Sequence, residues 1–307
     1  EMAAAENNAA TISKYLALSY GYVGHGQPAS SIVRTAEDEE FVAADRSMQD
    51  VCFSSLAGSE HVKAISAGQD FVIFERKVGE WTHRFRSRFV AMGEGLPAKV
   101  EQVTEIVPPK PFPQSTLSFP LNKELGEAGC LFQSALVLCN MLADPATSLH
   151  AFTSGAKVVE VGSGTGVVGI AAAILGTSVV ITDLPHVLPQ LQNNVSVNLQ
   201  QGSAARDRIS VVPLAWGNTE HEAALGKFDL VLCSDCLYRE ETHQVLLQSL
   251  EALSNPDTLV VMALEIRRPP LEANFFTIAQ SRFSIQPVEV PFKEDNDVKL
   301  WFMRLKA

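Results

Sequence analysis

Residues 158–169 read VVEVGSGTGVVG, and IAAAIL follows at once. An apolar run breaks into a loop with glycines at 162, 164, 166 and 169, and a helical run begins inside it. Strand, tight turn and helix in that order commit the chain to an α/β unit. Glycine lets the backbone approach a ligand without a Cβ in the way. In a doubly wound sheet the loop at the carboxyl end of the first such strand lies where the strand order reverses, and ligands bind there.

The pattern continues downstream. SVVITD (178–183), ISVVPLAW (209–216), FDLVLCSD (228–235) and TLVVMALEI (258–266) alternate with helical segments such as THQVLLQSLEAL (242–253). Buried apolar strands separated by helices predict a mostly parallel sheet covered on both faces. FSIQPVEV and VKLWFMRLK close the chain with no helix between them, which predicts an edge hairpin and an antiparallel last strand. CLFQSALVLCNMLAD (130–144) carries helical spacing ahead of the glycine loop. Four prolines in VPPKPFPQ (107–114) predict an extended linker. The chain thus divides into an N-terminal extension over 1–113, partly β, and a main domain over 114–307. In the extension ISKYLALSY suits a short helix and TAEDEE a solvated acidic face. FVIFERKV (71–78) and THRFRSRF (82–89) suit strands, the second with arginines alternating against phenylalanines.

Net charge is −11, which disfavours phosphate-backbone binding and suits a basic partner. No apolar run reaches the roughly 20 residues of a membrane span. Five scattered cysteines argue against a disulfide framework and for a reducing compartment, so a cytoplasmic or nuclear location is expected. Cys233 and Cys236 form a lone CxxC with no second ligand pair, so no metal is expected.

The glycines alone admit two ligands. Gly162-x-Gly164-x-Gly166 suits S-adenosylmethionine, and Gly164-x-Gly166-x-x-Gly169 also fits the dinucleotide fingerprint. Three residues favour the first. Glu160, two residues before the loop, suits a ligand with an ammonium group better than a pyrophosphate. Asp183 ends the second strand, where it can accept from both ribose hydroxyls or, alternatively, cap the next helix. Trp216 ends the third strand, where it can flank an adenine or pack in the core.

VVEVGSGTG, TDLP, LAWG and SDCLYREE, in this order and spacing, resemble the seven-stranded protein-lysine methyltransferases of methyltransferase family 16, nearest the valosin-containing-protein lysine methyltransferase branch. The likeness covers about residues 120–307 and includes LEIRRP…FF (264–276). It implies a Rossmann-like class I methyltransferase fold with S-adenosylmethionine as cofactor. It implies that Gly162, Ser163 and Gly164 hold the cofactor's methionine part and that Asp183 holds the ribose, with Gly166 and Leu184 also among the cofactor-binding residues. Trp216 would flank the adenine, Ser234 would touch the cofactor, and Glu160 belongs to the same set. Asp235 and Tyr238, from the Asp-x-x-Tyr motif, would be the catalytic pair beside the target lysine. One position departs: Phe132 stands where relatives carry tryptophan, which keeps an aromatic wall but loses the indole N–H and predicts weaker cofactor binding.

The expected reaction is methyl transfer to a lysine of a protein substrate, by a monomer that engages neither nucleic acid nor membrane. A free lysine has a pKa of about 10.4, so its amine must lose a proton before attack. Asp235 and Tyr238 are expected to orient that amine, with positioning as the main source of rate. Glu265 and Arg267 are expected to pair on the rim of the same face. The competing readings are a non-protein acceptor, supported by the basic-aromatic strand at 84–89, an NAD-linked oxidoreductase, and a methyltransferase-like binding module with little turnover.

Overall fold

The computed structural model describes residues 63–67, 70–90, 99–110, 112–291 and 298–306. Five strands form an antiparallel meander in chain order: β1 (Lys63–Ala67), β2 (Asp70–Val78), β3 (Trp81–Val90), β4 (Lys99–Val107) and β5 (Leu117–Pro120). The stretches 71–78 and 82–89 lie in β2 and β3, while ISKYLALSY and TAEDEE fall outside the described residues. The register sets Arg84 opposite Glu75 and Glu105, and Arg88 opposite Asp70 and Glu101. Cross-strand neighbours of opposite charge are the ordinary way a sheet carries arginine. The expected boundary at 113/114 falls between β4 and β5, so the first strand beyond it completes the small sheet.

The second sheet has the order β11-β12-β10-β9-β6-β7-β8. Its strands are β6 (Lys157–Val161), β7 (Ser178–Asp183), β8 (Ile209–Pro213), β9 (Leu230–Ser234), β10 (Leu259–Glu265), β11 (Phe283–Val288) and β12 (Val298–Leu305). The five strands from β6 to β10 pair in parallel, and β12 pairs antiparallel with both β10 and β11. The closing hairpin is therefore present, with β12 inserted beside β10 and β11 outermost. The order reverses at β6, whose neighbours are β7 on one side and β9 on the other.

Helices cover both faces: α1 (Gln133–Ala143), α2 (Val167–Leu175), α3 (Leu188–Asn198), α4 (Thr219–Leu225), α5 (His243–Leu253) and α6 (Pro269–Ala279). Alternate residues of each strand feed opposite cores, as the pleat requires. Val158, Leu230, Leu232 and Val261 join α1, α2 and α3 on one face. Val159, Val161, Val231, Val260 and Met262 join Leu246, Leu247, Leu250 and Leu253 of α5, and Phe275 of α6, on the other. The small sheet docks on the first face: Asn140 Nδ2 of α1 donates to the Val78 carbonyl at 2.7 Å, and Ser118 and Asn198 of α3 exchange two hydrogen bonds. The proline-rich connection is packed rather than free, with Phe112 set edge-on against the buried Trp81 at 4.9 Å.

Two local features shape the site. The helix expected from 130 starts only at Gln133, because Phe132 is its extended N-cap (φ −102°, ψ 153°). Gly169 lies where α2 crosses β7, and a Cβ there would stand 2.0 Å from Ile181 Cγ2. Gly169→Ala is expected to destabilise the fold by about 1–3 kcal/mol through overpacking, read from the urea midpoint. Cys139, Cys233 and Cys236 are free and buried, whereas Cys130 is disulfide-bonded.

Candidate active site

At the carboxyl ends of β6 and β9 the glycine loop and the Asp235–Tyr238 loop face each other across a cavity of about 250 Å³. Gly162, Ser163 and Gly164 form one wall, Asp183 and Leu184 the floor after β7, and Trp216 the end after β8. Ser234, Asp235 and Tyr238 close the opposite side, and Phe132 reaches in from the cap of α1. Two expected site residues lie elsewhere. Gly166 packs inward, where a Cβ would meet Leu191 at 2.8 Å and Ile181 at 3.3 Å. Glu160 is buried behind the loop, accepting from the Gly169 N–H through Oε2 at 3.0 Å. The structure therefore gives Glu160 a part in holding the loop to α2, and the electrostatic argument from its charge does not apply inside the cavity.

Burial pushes the Glu160 carboxyl up to about 8, against the Gly169 N–H that favours its ionised form. A carboxyl whose pKa is raised on folding binds more protons folded than unfolded between its two pKa values. Stability then falls as pH rises from about 4.5 towards about 8. Glu160→Gln is expected to remove that slope, on the order of a few kcal/mol in total; unfolding curves of the variant at pH 5 and pH 8 check it.

The loop geometry shows how a cofactor is accommodated. Gly162 and Gly164 have φ of +62° and +52°, which favours glycine. A Cβ on Gly162 would stand 2.9 Å from Cys236 Sγ and 3.0 Å from Trp216 Cζ2. The Gly164 N–H donates to Asp183 Oδ2 and the Leu184 N–H to Oδ1, each at 2.8 Å. Each carboxylate oxygen keeps one lone pair, so two vicinal hydroxyls fit there. Leu184 is 43% exposed, and with the half-buried Trp216 it offers an apolar slot suited to a flat base. These residues fit S-adenosylmethionine.

Asp235 is the hub of the far wall. Its φ of +50° is positive, which few residues other than glycine adopt. Oδ1 accepts from the Glu265 N–H at 3.0 Å and from Arg267 Nη1 at 3.1 Å, and Oδ2 accepts from the Ser134 hydroxyl. Burial raises its pKa, with Arg267 the main opposing influence. Arg267 also donates to Glu265 Oε2 at 2.6 Å and sits 5.2 Å over the Phe132 ring. The expected Glu265–Arg267 pair is thus part of a clamp on Asp235 and Phe132. Burial pushes the Tyr238 hydroxyl up to about 12, with Cys236, Glu127 and Asp183 adding to the rise. At neutral pH Tyr238 is a neutral phenol. Ser134 and the Glu127–Arg239 pair (3.7 Å) escaped the sequence reading; a serine two residues past Phe132 gives no signal of its own.

The sequence profile of the Methyltransf_16 family, described as lysine methyltransferase, matches residues 112–282. This chain belongs to that family. Among its relatives, protein N-lysine methyltransferase METTL21A of Danio rerio is 39% identical over 179 residues, 58% of this chain and 78% of the relative. EEF1A lysine methyltransferase 3 of Mus musculus is 40% identical over 152 residues, 50% and 62% of the two chains. Neither carries the valosin-containing-protein name. Among solved structures, glycopeptide N-methyltransferase MtfA with S-adenosyl-L-homocysteine superposes with a TM-score of 0.41 at 15% identity, over 51% of this chain and 87% of that one. The cofactor of this methyltransferase is S-adenosylmethionine.

In the methyltransferase, Arg267→Met is expected to keep cofactor affinity within about threefold and to lower turnover about tenfold or more. It removes a charge-assisted partner of Asp235 and the cation over Phe132, neither of which lies on the Asp183 side. Cofactor titration beside single-turnover methyl transfer checks the split.

Proposed function

We propose that this chain transfers the methyl group of S-adenosylmethionine to the side-chain amine of a lysine in a protein substrate. The observation that carries the reading is the meeting of two loops in one cavity: the glycine–Asp183 cradle on one side, and the Asp235–Tyr238 wall on the other. When bound, the sulfonium supplies an electrophilic methyl group. Gly162, Ser163, Gly164, Asp183, Leu184 and Trp216 would hold it, with Ser234 and Phe132 at its edge.

The protein's own part is to deliver a neutral amine. Asp235 has both oxygens occupied by Ser134, Glu265 and Arg267, and Tyr238 holds its proton at neutral pH. Neither group is a strong base. Asp235 orients the arriving ammonium with the one lone pair left on Oδ2, and the proton leaves to water as the amine is desolvated against Phe132 and Tyr238. Rate then derives from alignment.

We also propose that the acceptor is a protein rather than a nucleic acid, and that no membrane takes part. The net charge of −11 supports this, as do the acidic register partners of Arg84 and Arg88. The test is calorimetric titration with S-adenosylmethionine and NAD, followed by transfer of tritiated methyl to a cell extract. Binding of the first alone, with label recovered as methyl-lysine after acid hydrolysis, is expected. Failure to bind S-adenosylmethionine, or label confined to nuclease-sensitive or small-molecule material, would overturn the proposal.

A further inference from the structure

A second cavity, about 320 Å³, adjoins the first through Glu127, Phe132, Asp235 and Tyr238. Beyond that junction it runs between the end of β10 and the start of α6, past Leu264, Glu265, Arg267 and Arg268 to Glu272. Its lining holds four carboxylates and two guanidiniums. Both guanidiniums are committed: Arg267 to Asp235 and Glu265, and Arg268 to the Tyr238 carbonyl.

Glu272 differs from the other three acids. It is only 6% exposed. Its Oε1 accepts from the Arg267 N–H at 3.2 Å and from the Arg268 N–H at 3.0 Å, which anchors the first turn of α6. Its Oε2 is buried with no hydrogen-bond partner. A buried carboxylate oxygen left without a donor is costly, and a site that closes over a cation removes that cost. The target lysine cannot supply this cation while its amine is at the junction. Arg267 spans the gap: its backbone N–H reaches Glu272 and its guanidinium reaches Asp235, so the two acids stand an arginine side chain apart.

We propose that Glu272 receives a second basic side chain of the protein substrate, a lysine or arginine neighbouring the one that is methylated. The inference rests on the lysine-methylation reading above and assigns the substrate a dibasic surface. The acidic balance of the chain favours the same class of partner.

The test uses the protein saturated with S-adenosylhomocysteine and two probes, a tetralysine peptide and acetyl-lysine amide, titrated by calorimetry. Tetralysine is expected to bind about 10-fold tighter or more. Glu272→Gln keeps the Oε1 acceptor for the α6 turn and exchanges Oε2 for a donor. It is expected to bring the two probes within about threefold of each other, with S-adenosylhomocysteine affinity unchanged. Glu241→Gln removes one charge elsewhere on the surface and is expected to leave the preference intact. Probes within twofold on the unmodified protein would overturn the subsite, and that result needs no variant. A preference that survives Glu272→Gln, or that Glu241→Gln reduces equally, would overturn it as well. Loss of S-adenosylhomocysteine binding by the unmodified protein would instead sink the methyltransferase reading itself.

Discussion

Asp183→Ala is expected to lower S-adenosylhomocysteine affinity by about 100-fold or more while the sheet stays folded. Asp183 does two jobs at the end of β7. It holds the glycine loop through the Gly164 N–H, and it presents two free lone pairs to the cavity. A hydrogen bond to a charged acceptor contributes roughly 1.5–3 kcal/mol, and every 1.4 kcal/mol is tenfold in affinity. Loss of two such bonds and of the loop tether therefore exceeds two decades. Stability falls much less, because burial already disfavours this carboxylate and holds its pKa above the ordinary value. That shift adds a pH signature. A protonated Asp183 offers one acceptor fewer, so affinity is expected to weaken with acidification at a pH above the usual carboxylate range. Asp183→Asn, which keeps one carbonyl oxygen, is expected to lose about tenfold and to flatten that pH dependence. Affinity held within threefold in the alanine variant would remove Asp183 from the cofactor site.

The fold was legible because its signals are periodic and local. Apolar runs of strand length, a glycine loop and a missing last helix suffice to write a parallel sheet with an antiparallel end, and β6 to β12 follow them. The cofactor side was legible for a similar reason: Gly162, Gly164, Asp183 and Trp216 each lie at the end of a strand or within three residues beyond it, so their place in the chain fixes their place in the cavity. Glu160 shows the limit of that logic. Its position just before the loop suggested a ligand contact, but side chains alternate along a strand, and this one points to α2 and Gly169. The dinucleotide-like glycine at 169 was ambiguous for a related reason. Close helix–strand packing asks for glycine whatever the ligand, and Ile181 makes that demand here. The acceptor side was less legible. Ser134 and Arg267 meet Asp235 across more than 30 residues of sequence and no periodicity links them, so Arg267 was legible only as a partner of Glu265. Phe132 was placed by resemblance, but its release from the helix depends on the extended cap at the start of α1.

Asp235→Asn is expected to reduce single-turnover methyl transfer by about 100-fold or more, with S-adenosylhomocysteine affinity within about threefold. Asparagine is the substitution that isolates charge. It tolerates the positive φ at this position, and its carbonyl still accepts from the Glu265 N–H and Arg267. The amide nitrogen then faces Ser134, whose hydroxyl can accept instead of donate. The lost element is the negative charge beside the amine's path, with Glu265 left as the carboxylate partner of Arg267. An ammonium arriving there loses the carboxylate that orients it, and groups that orient a proton-bearing reactant typically contribute 10²–10⁴-fold. Because most of the residues that would hold the cofactor sit on the Asp183 side, the loss falls on turnover and on acceptor KM rather than on cofactor binding. Asp235→Ala adds backbone strain at the positive φ, and is expected to lower the thermal midpoint as well as the rate. Equal losses of cofactor affinity and rate in the asparagine variant would mean that Asp235 shapes the cavity as a whole, and Tyr238 would then be left as the group nearest the amine.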